Sequence, residues 1–465
     1  MTTPPRVLRR DLGFRRIALL LSGGGASAAY EVGVLKVLER IALRPTLVAG
    51  VSSGAVNAVA WVAHGLRCEA LEQVWLRLRP SSLGLRWATL SMRAVGATAL
   101  VLALIEVVLT VTGSHEIFAG RVLPRPSVGR ADLSSDLLDA LAWLVVGLVG
   151  FAIMLLSRWA EILLARITPP GDPHRWHRRF GRALAVGGAV HLVVLLAGLP
   201  WPHRFGATLL LLGFVLWLLN RPGRTGRLLR GFLRRLMPET GGRGLWGSAA
   251  RRRLLEDLVA RGDPARLTSG AVRLVVGALA VDSGRTCQFV NWPDPTAEFR
   301  TRVARALGEV EVLLEPGAVL SATVASSAIP GLFEPVRIGG REFVDAGGFS
   351  NQPMHVAIAD GADAMLVVLL SPSAAPSPVV RRDLFGLGAR LLEIANWRDT
   401  QAELNSLPPE WSRDGDPARL CVVEPAGTLP GGLLGMEPAN ARELIRSGEA
   451  DAWVALERAG WLAPA

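Results

Sequence analysis

Short, mostly apolar runs alternate with amphipathic segments at both ends of this 465-residue chain. Runs of strand length fall at residues 16–21, 47–50, 272–281, 287–292, 364–370 and 419–423. Apolar positions at helical spacing fall at residues 30–40, 55–64 and 439–457. Because strands of parallel sheets are buried on both faces and are joined by helices, this order predicts an α/β fold. We expect a mostly parallel sheet with helices on both of its faces.

The middle of the chain has a different pattern, with long apolar runs at residues 94–113, 140–156, 183–199 and 206–219. A helix that spans a bilayer needs about 20 apolar residues. The first run reaches that length, the next two are borderline, and the last needs flanking residues. One such run alone is also compatible with a buried core helix. Their succession, in a chain with a mean hydropathy of +0.34, favours an inserted α-helical transmembrane module.

Arginine is distributed unevenly around these runs. Clusters of arginine lie at residues 158–182 and 221–235, whereas the alternate connections at 114–139 and 200–205 carry fewer. Cytoplasmic loops of membrane proteins carry an excess of Lys and Arg. We therefore expect a multi-pass protein of the cell inner (plasma) membrane, with both terminal parts of the chain in the cytoplasm.

The net charge of +11 comes almost entirely from arginine, since Lys36 is the single lysine. Because the arginines flank the apolar runs, they favour contact with anionic lipids, and we expect no nucleic-acid partner. The three cysteines, Cys68, Cys287 and Cys421, are too few and too widely spaced to indicate a disulfide framework or a zinc site. No metal and no other cofactor is expected. The sequence does not predict an oligomeric state.

A glycine-rich loop, with Gly23, Gly24 and Gly25, follows the first predicted strand and precedes a predicted helix. Backbone N–H groups in such a loop are suited to binding an anion. The spacing to Ala28 also fits a loose dinucleotide-binding motif. That motif requires an acidic residue about 20 residues further on, and residues 43–48 contain none.

A second glycine motif, Gly50-Val-Ser52-Ser-Gly54, follows the second predicted strand. A Gly-x-Ser-x-Gly turn between strand and helix exposes the serine hydroxyl as a nucleophile, although the same pattern occurs in ordinary tight turns. Much later in the chain, Asp345 ends an apolar run and is followed by Ala346 and Gly347. A carboxylate in contact with the serine would supply the base that a serine nucleophile needs.

Together these separated motifs resemble the patatin-like phospholipase family, over residues of about 15–80 and 270–455. The resemblance implies a three-layer α/β/α domain, here interrupted by the transmembrane module. It implies a lipid acyl hydrolase with a Ser–Asp dyad, of the phospholipase A or lysophospholipase type, acting at the cytoplasmic membrane surface. Membrane lipid would be both substrate and environment. The implied roles are nucleophile for Ser52, its partner for Asp345, an oxyanion hole at Gly23, Gly24 and Gly25, and supporting positions at Gly50, Gly54 and Gly347.

The chain departs from the family pattern in its glycine loop, where Ser27 and Ala28 replace a basic residue and a glycine. Alanine would be strained at residue 28 if that position required a positive φ. A non-catalytic membrane protein that keeps the domain for lipid binding or scaffolding is therefore the alternative. A Ser–His–Asp triad that uses His355 or His64 is a second alternative, but we expect the dyad, because a lone histidine in a helix is more often structural.

These motifs define the expected segments. Residues 1–14 form an N-terminal arm, and residues 15–85 form the first half of the catalytic domain. Residues 86–220 form the membrane module, 221–262 an arginine-rich linker and helix, and 263–465 the second half. Because Ser52 and Asp345 must meet in one site, the chain must cross the bilayer an even number of times.

Overall fold

The computed structural model describes residues 7–9, 11–84, 244, 246–375 and 384–463, with isolated positions between residues 100 and 152. The chain divides into two compact units, one of residues 1–85 with 239–465 and the other of residues 86–238. The predicted transmembrane module falls almost entirely outside the described residues and stays a prediction. Among the helices that are described, none is both long enough and apolar enough to cross a bilayer.

The described strands form one sheet in the first unit. They are β1 (Ile17–Leu21), β2 (Leu47–Val51), β3 (Arg273–Ala280), β4 (Thr286–Val290), β5 (Gly308–Val312), β6 (Val336–Ile338), β7 (Arg341–Asp345), β8 (Ala364–Val368) and β9 (Leu420–Val423). The order is β5-β4-β3-β2-β1-β8-β9, and β7 pairs with both β3 and β6. All strand pairs from β3 through β2, β1 and β8 to β9 are parallel. The predicted α/β fold with a mostly parallel sheet is confirmed.

The helices of the described residues lie between and after these strands. They are α1 (Ala29–Arg40), α2 (Ser53–Ala63), α3 (Glu69–Arg77), α4 (Ala249–Ala260), α5 (Ala297–Arg305), α6 (Pro316–Ser326), α7 (Met354–Ala359), α8 (Leu384–Ser406) and α9 (Pro438–Arg458). Short 3-10 turns cover Gly25–Ala28, Pro80–Leu83 and Pro264–Leu267.

Helices pack on both faces of the sheet. Ala18 and Leu20 of β1 belong to an apolar cluster with Phe299 of α5 and Met354 of α7. Successive side chains of a strand point to opposite faces, so Leu19 lies on the other face, where it is also fully buried and where α2 packs against β1 and β2. Burial on both faces explains why these strands are apolar throughout and do not alternate with polar residues.

Strand register brings the ends of β2 and β7 together. Val51, the last residue of β2, pairs with Gly277 of β3. The next residue of β3, Ala278, pairs with Asp345, the last residue of β7. Pairing between β2 and β3 therefore ends at Val51, and the chain turns at Ser52 into α2. From Ala278 onward, β7 takes the place of β2 beside β3. This exchange of neighbours places Ser52 beside Asp345.

Candidate active site

Ser52 lies in a strained turn between β2 and α2. Its backbone has φ +55° and ψ −125°, a conformation that is rare for a residue with a side chain. Gly50 and Gly54 make the turn possible, because a Cβ on Gly50 would lie 2.7 Å from the Ala55 Cα and one on Gly54 would lie 2.7 Å from the Ser22 carbonyl oxygen. The turn has the geometry of a nucleophile elbow.

The hydroxyl of Ser52 donates a hydrogen bond of 2.5 Å directly to Oδ2 of Asp345. The backbone N–H of Ser52 donates to Oγ of Ser326 at 2.8 Å. That hydroxyl in turn donates to the carbonyl oxygen of Gly277 at 2.6 Å. Ser326, at the end of α6, therefore fixes the nucleophile turn to β3.

Asp345 is held by two further backbone hydrogen bonds. Its Oδ1 accepts the N–H of Gly347 at 2.7 Å, and its own N–H donates to the carbonyl oxygen of Ala328 at 3.0 Å. Burial raises the pKa of Asp345 to about 6, although the Ser52 hydroxyl, the Gly347 N–H and the charge of Arg251 oppose that rise. At neutral pH this carboxyl group is ionised. Its pKa lies close to the operating pH, which is where a general base is most effective.

The glycine loop passes directly over the nucleophile. A Cβ on Gly23 would lie 2.7 Å from the Cβ of Ser52. The Gly23 N–H donates to Oδ1 of Asn351 at 2.7 Å, and Nδ2 of Asn351 returns a hydrogen bond of 3.0 Å to the Gly23 carbonyl oxygen. The Gly24 N–H donates to Oγ of Ser53 at 3.1 Å. Of the three expected oxyanion donors, two are thus already engaged by side chains.

Gly25 differs from its neighbours in the loop. It has φ +59°, and a Cβ there would overlap the carbonyl oxygen of Leu433, so this position requires glycine. Among the described residues its N–H has no hydrogen-bond partner. Of the three N–H groups in the glycine loop, that of Gly25 is therefore the one that the described residues leave free.

The expected strain at Ala28 is absent. Ala28 has φ −68° and ψ −6°, an ordinary helical conformation that alanine adopts without cost. Ser27 is buried, and its hydroxyl donates to the carbonyl oxygen of Gly432 at 3.3 Å. Ser27 therefore ties the loop to Gly432, next to the residue whose carbonyl oxygen accepts the Ala26 N–H, Leu433.

Both candidate histidines are engaged away from Ser52. Nδ1 of His355 lies 3.0 Å from Oε1 of Glu403 on α8. Nε2 of His64 lies 2.9 Å from the carbonyl oxygen of Leu258. The direct contact between Ser52 and Asp345 leaves no imidazole between them, so the geometry favours the dyad.

An apolar pocket with a volume of about 100 Å³ opens at the nucleophile. Its walls come from α2, α3, α4, α6 and the segment that contains Leu433. Besides Gly25, Ser52 and Ser53, the lining residues are mainly aliphatic or aromatic, and they include Val56, Leu71, Val74, Trp75, Leu78, Leu83, Leu254, Leu255, Leu258, Val324, Ile329 and Phe333. Arg251 is the charged residue in this lining.

Three residues with clear structural roles at the site, Asn351, Ser326 and Arg251, were not expected from the sequence. Asn351 follows Asp345 closely in the sequence and Ser326 precedes it; this proximity was a signal that they could lie near the site, but it did not indicate their contacts. Arg251 lies in an arginine-rich stretch that gave no reason to single it out. Among the described residues no cluster of His, Cys, Asp or Glu side chains could hold a metal ion.

Comparisons with known proteins identify the family through a sequence profile. A sequence profile described as patatin-like phospholipase matches residues 19–358. Among curated protein sequences none matches significantly. A comparison of structures finds the crystal structure of VipD from Legionella pneumophila, at 12% identity and a TM-score of 0.35, over 98% of this chain and 72% of that one, a similarity too low to carry an argument. Since the profile covers well over half of the sequence, the chain belongs to the patatin-like phospholipase family and is a lipid acyl hydrolase.

Proposed function

We propose that Ser52 and Asp345 form the catalytic dyad with which this enzyme hydrolyses acyl esters of membrane lipids. The observation that carries the proposal is the 2.5 Å hydrogen bond from the Ser52 hydroxyl to the buried carboxylate of Asp345. A serine hydroxyl is a weak nucleophile until an adjacent base accepts its proton. Here the base touches the hydroxyl directly.

In the first half of the reaction, Oγ of Ser52 attacks the ester carbonyl carbon while Oδ2 of Asp345 accepts the hydroxyl proton. The carbonyl π electrons move to oxygen and form a tetrahedral oxyanion, to which the Gly25 N–H donates. Each such donor typically contributes about 10²–10³ in rate. Collapse of the oxyanion breaks the bond to the alcohol oxygen, which takes the proton from Asp345 and leaves an acyl-serine.

In the second half, a water molecule attacks the carbonyl carbon of the acyl-serine, and Asp345 accepts a proton from that water. Collapse of the second tetrahedral intermediate breaks the bond to Oγ of Ser52, which regains the proton. The fatty acid then leaves, and the dyad returns to its starting state.

The pocket supports a lipid acyl chain as the group that is transferred. Its walls are made of side chains such as Leu71, Trp75 and Leu255, and binding sites of this kind gain affinity from burying apolar surface. The apolar runs between residues 94 and 219 support a membrane position for the enzyme, and the arginine clusters support a cytoplasmic orientation of the catalytic unit.

Covalent labelling tests the dyad. A fluorophosphonate probe should label the full-length protein at Ser52, and Ser52→Ala should abolish both labelling and hydrolysis of a p-nitrophenyl ester. Asp345→Asn should reduce both by at least about 10³-fold, because it removes the base and leaves the nucleophile.

The control is His355→Gln, which should keep most of the activity. Loss of activity in a folded His355→Gln variant would favour the triad. Absence of any Ser52-dependent labelling in the folded wild-type protein would favour the non-catalytic alternative, a lipid-binding membrane protein.

A further inference from the structure

Arg251 is a buried cation close to the dyad, and the catalytic steps above do not use it. It lies on α4 and is only 6% exposed. Its Nη1 donates to the carbonyl oxygens of Val324 at 3.1 Å and Ser327 at 2.7 Å, and to Oγ of Ser327 at 2.8 Å. Its guanidinium lies 3.9 Å from the centre of the Phe333 ring.

Burying a cation among neutral partners is unfavourable. All three groups that Nη1 contacts are neutral, and Nε and Nη2 have no hydrogen-bond partner among the described residues. Burial lowers the pKa of Arg251 to about 10, so the side chain stays charged at neutral pH. A buried charge with incomplete hydrogen bonding is unfavourable for folding, so the position of Arg251 calls for an explanation other than stability.

The contacts of Arg251 fall on the turn that holds both members of the dyad. Val324 and Ser327 lie at the C-terminal end of α6, where helix carbonyl groups lack internal partners and favour a cation. Between them lies Ser326, which accepts the N–H of Ser52. Immediately after them lies Ala328, which accepts the N–H of Asp345.

The charge of Arg251 also acts on Asp345. The groups that act on the Asp345 carboxyl are the Ser52 hydroxyl, the Gly347 N–H and Arg251, and all three favour its ionised form. The acidic groups that act on Arg251 are Asp345 and Glu334. Glu334 accepts the N–H of Ser248 at 3.2 Å, at the start of α4.

We propose that Arg251 is a positioning residue of the dyad. Its guanidinium holds the C-terminal turn of α6, to which Ser52 and Asp345 are both hydrogen-bonded, and brings a positive charge to the pocket that Ser52 lines. This inference rests on the proposed function of Ser52 and Asp345, and it assigns no contact between Arg251 and the substrate.

The pH profile of kcat/KM for a soluble p-nitrophenyl ester tests the electrostatic part. Arg251→Met removes the charge and keeps a similar length, so the acid limb of the profile should move to higher pH, because the charge of Arg251 favours the ionised form of Asp345. A merely structural role would lower the rate without moving this limb. Arg253→Met is the matched control, since Arg253 is exposed on the same helix, and it should leave both rate and profile unchanged.

Arg251→Lys tests the positional part and keeps the buried charge. Its acid limb should stay in place, while kcat should fall by roughly tenfold, because a lysine ammonium lacks the planar guanidinium that lies over the Phe333 ring and fixes the side chain there. This variant also keeps the proposal testable if Arg251→Met does not fold.

A folded Arg251→Met variant with the wild-type acid limb, or an Arg251→Lys variant with either wild-type kcat or a displaced limb, would overturn the inference. These results would leave the dyad intact, because Ser52-dependent hydrolysis by the wild type is measured in the same series. If the wild type shows no Ser52-dependent hydrolysis, the proposed function fails and the role of Arg251 fails with it.

Discussion

Asp345 determines how activity should depend on pH. Its pKa is raised to about 6 by burial, and only the ionised carboxylate can accept the proton of Ser52. Activity is therefore fully present above this pKa and lost as the pH falls through it. We expect kcat/KM for a soluble ester to decline below pH of about 6, with a single ionisation. An acid limb near the ordinary aspartate value of about 4 would contradict this environment.

The sequence offered strong signals for Ser52 and Asp345. Ser52 lies in a Gly-x-Ser-x-Gly turn, and Asp345 ends an apolar run, so the local structure explains why these residue types occur there. It offered none for the contact between Asn351 and Gly23, since an asparagine far along the chain becomes a partner of the glycine loop only through the fold. The donors of the oxyanion hole show the same limit. Sequence alone could not tell that two of the three N–H groups are engaged and one is open.

Helix α1 carries a buried carboxyl group whose ionisation should affect stability. Oε2 of Glu31 accepts Nδ2–H of Asn57 at 2.8 Å, and Oδ1 of Asn57 accepts Nε1–H of Trp75 at 2.8 Å. This network joins α1, α2 and α3 behind the glycine loop. Burial raises the pKa of Glu31 well above its usual range.

Because its folded-state pKa is raised, the contribution of Glu31 to stability is present below its unfolded pKa and is lost as the pH rises toward the folded value. Glu31→Gln mimics the protonated form. We expect it to match the wild type near pH of about 4 and to have the higher free energy of unfolding at pH of about 8. Denaturant unfolding at both pH values measures this, and a constant difference between the two proteins would refute it.

The β2–α2 turn depends on close approach of backbone atoms. A Cβ on Gly54 would collide with the carbonyl oxygens of Leu21 and Ser22, so Gly54→Ala should destabilise the protein by about 1–3 kcal/mol and reduce hydrolysis. The matched control is Gly317→Ala in α6, where a Cβ meets nothing within 4 Å. That change should stabilise by about 0.4–1 kcal/mol. Thermal unfolding of both variants checks the pair, and equal effects would show that close packing is not the cause.

The central strands of the sheet were predictable because burial on both faces makes them apolar throughout. β5 and β6 were not, for physical reasons. β5 reads Gly-Glu-Val-Glu-Val at the edge of the sheet and is only partly buried, while β6 has 3 residues. β5 alternates Glu and Val, as a half-buried edge strand does, but it lacks the continuous apolar run of the central strands, and β6 is too short to show any pattern. β3 pairs first with β2 and then with β7. This change of partner depends on the strand register, which the pattern of apolar residues does not specify.

At the scale of the whole molecule, the catalytic unit should survive removal of the second unit. Gly84 lies close to Ala250, since a Cβ on Gly84 would approach the Ala250 Cβ to 3.1 Å. A Gly/Ser linker of about ten residues can therefore replace residues 86–238. We expect the shortened protein to keep fluorophosphonate labelling at Ser52.

The same pair of proteins tests the membrane proposal. After carbonate and high-salt washes, the full chain should stay in the membrane pellet, whereas the shortened protein should appear in the supernatant, because spanning helices are not held by charge. Release of the full chain by salt alone would contradict a spanning module.

Ser52 and Asp345 are separated by 293 positions in the chain, and β2 has no neighbour on its far side until β3 has been made. At about 5–20 residues per second, a ribosome adds the aspartate some 15 to 60 s after the serine. Throughout that interval the nascent hydrolase has a hydroxyl without its base. On the proposed dyad mechanism, a lipid hydrolase of this design would stay inactive through most of its own synthesis and become active only when β7 has folded onto β3.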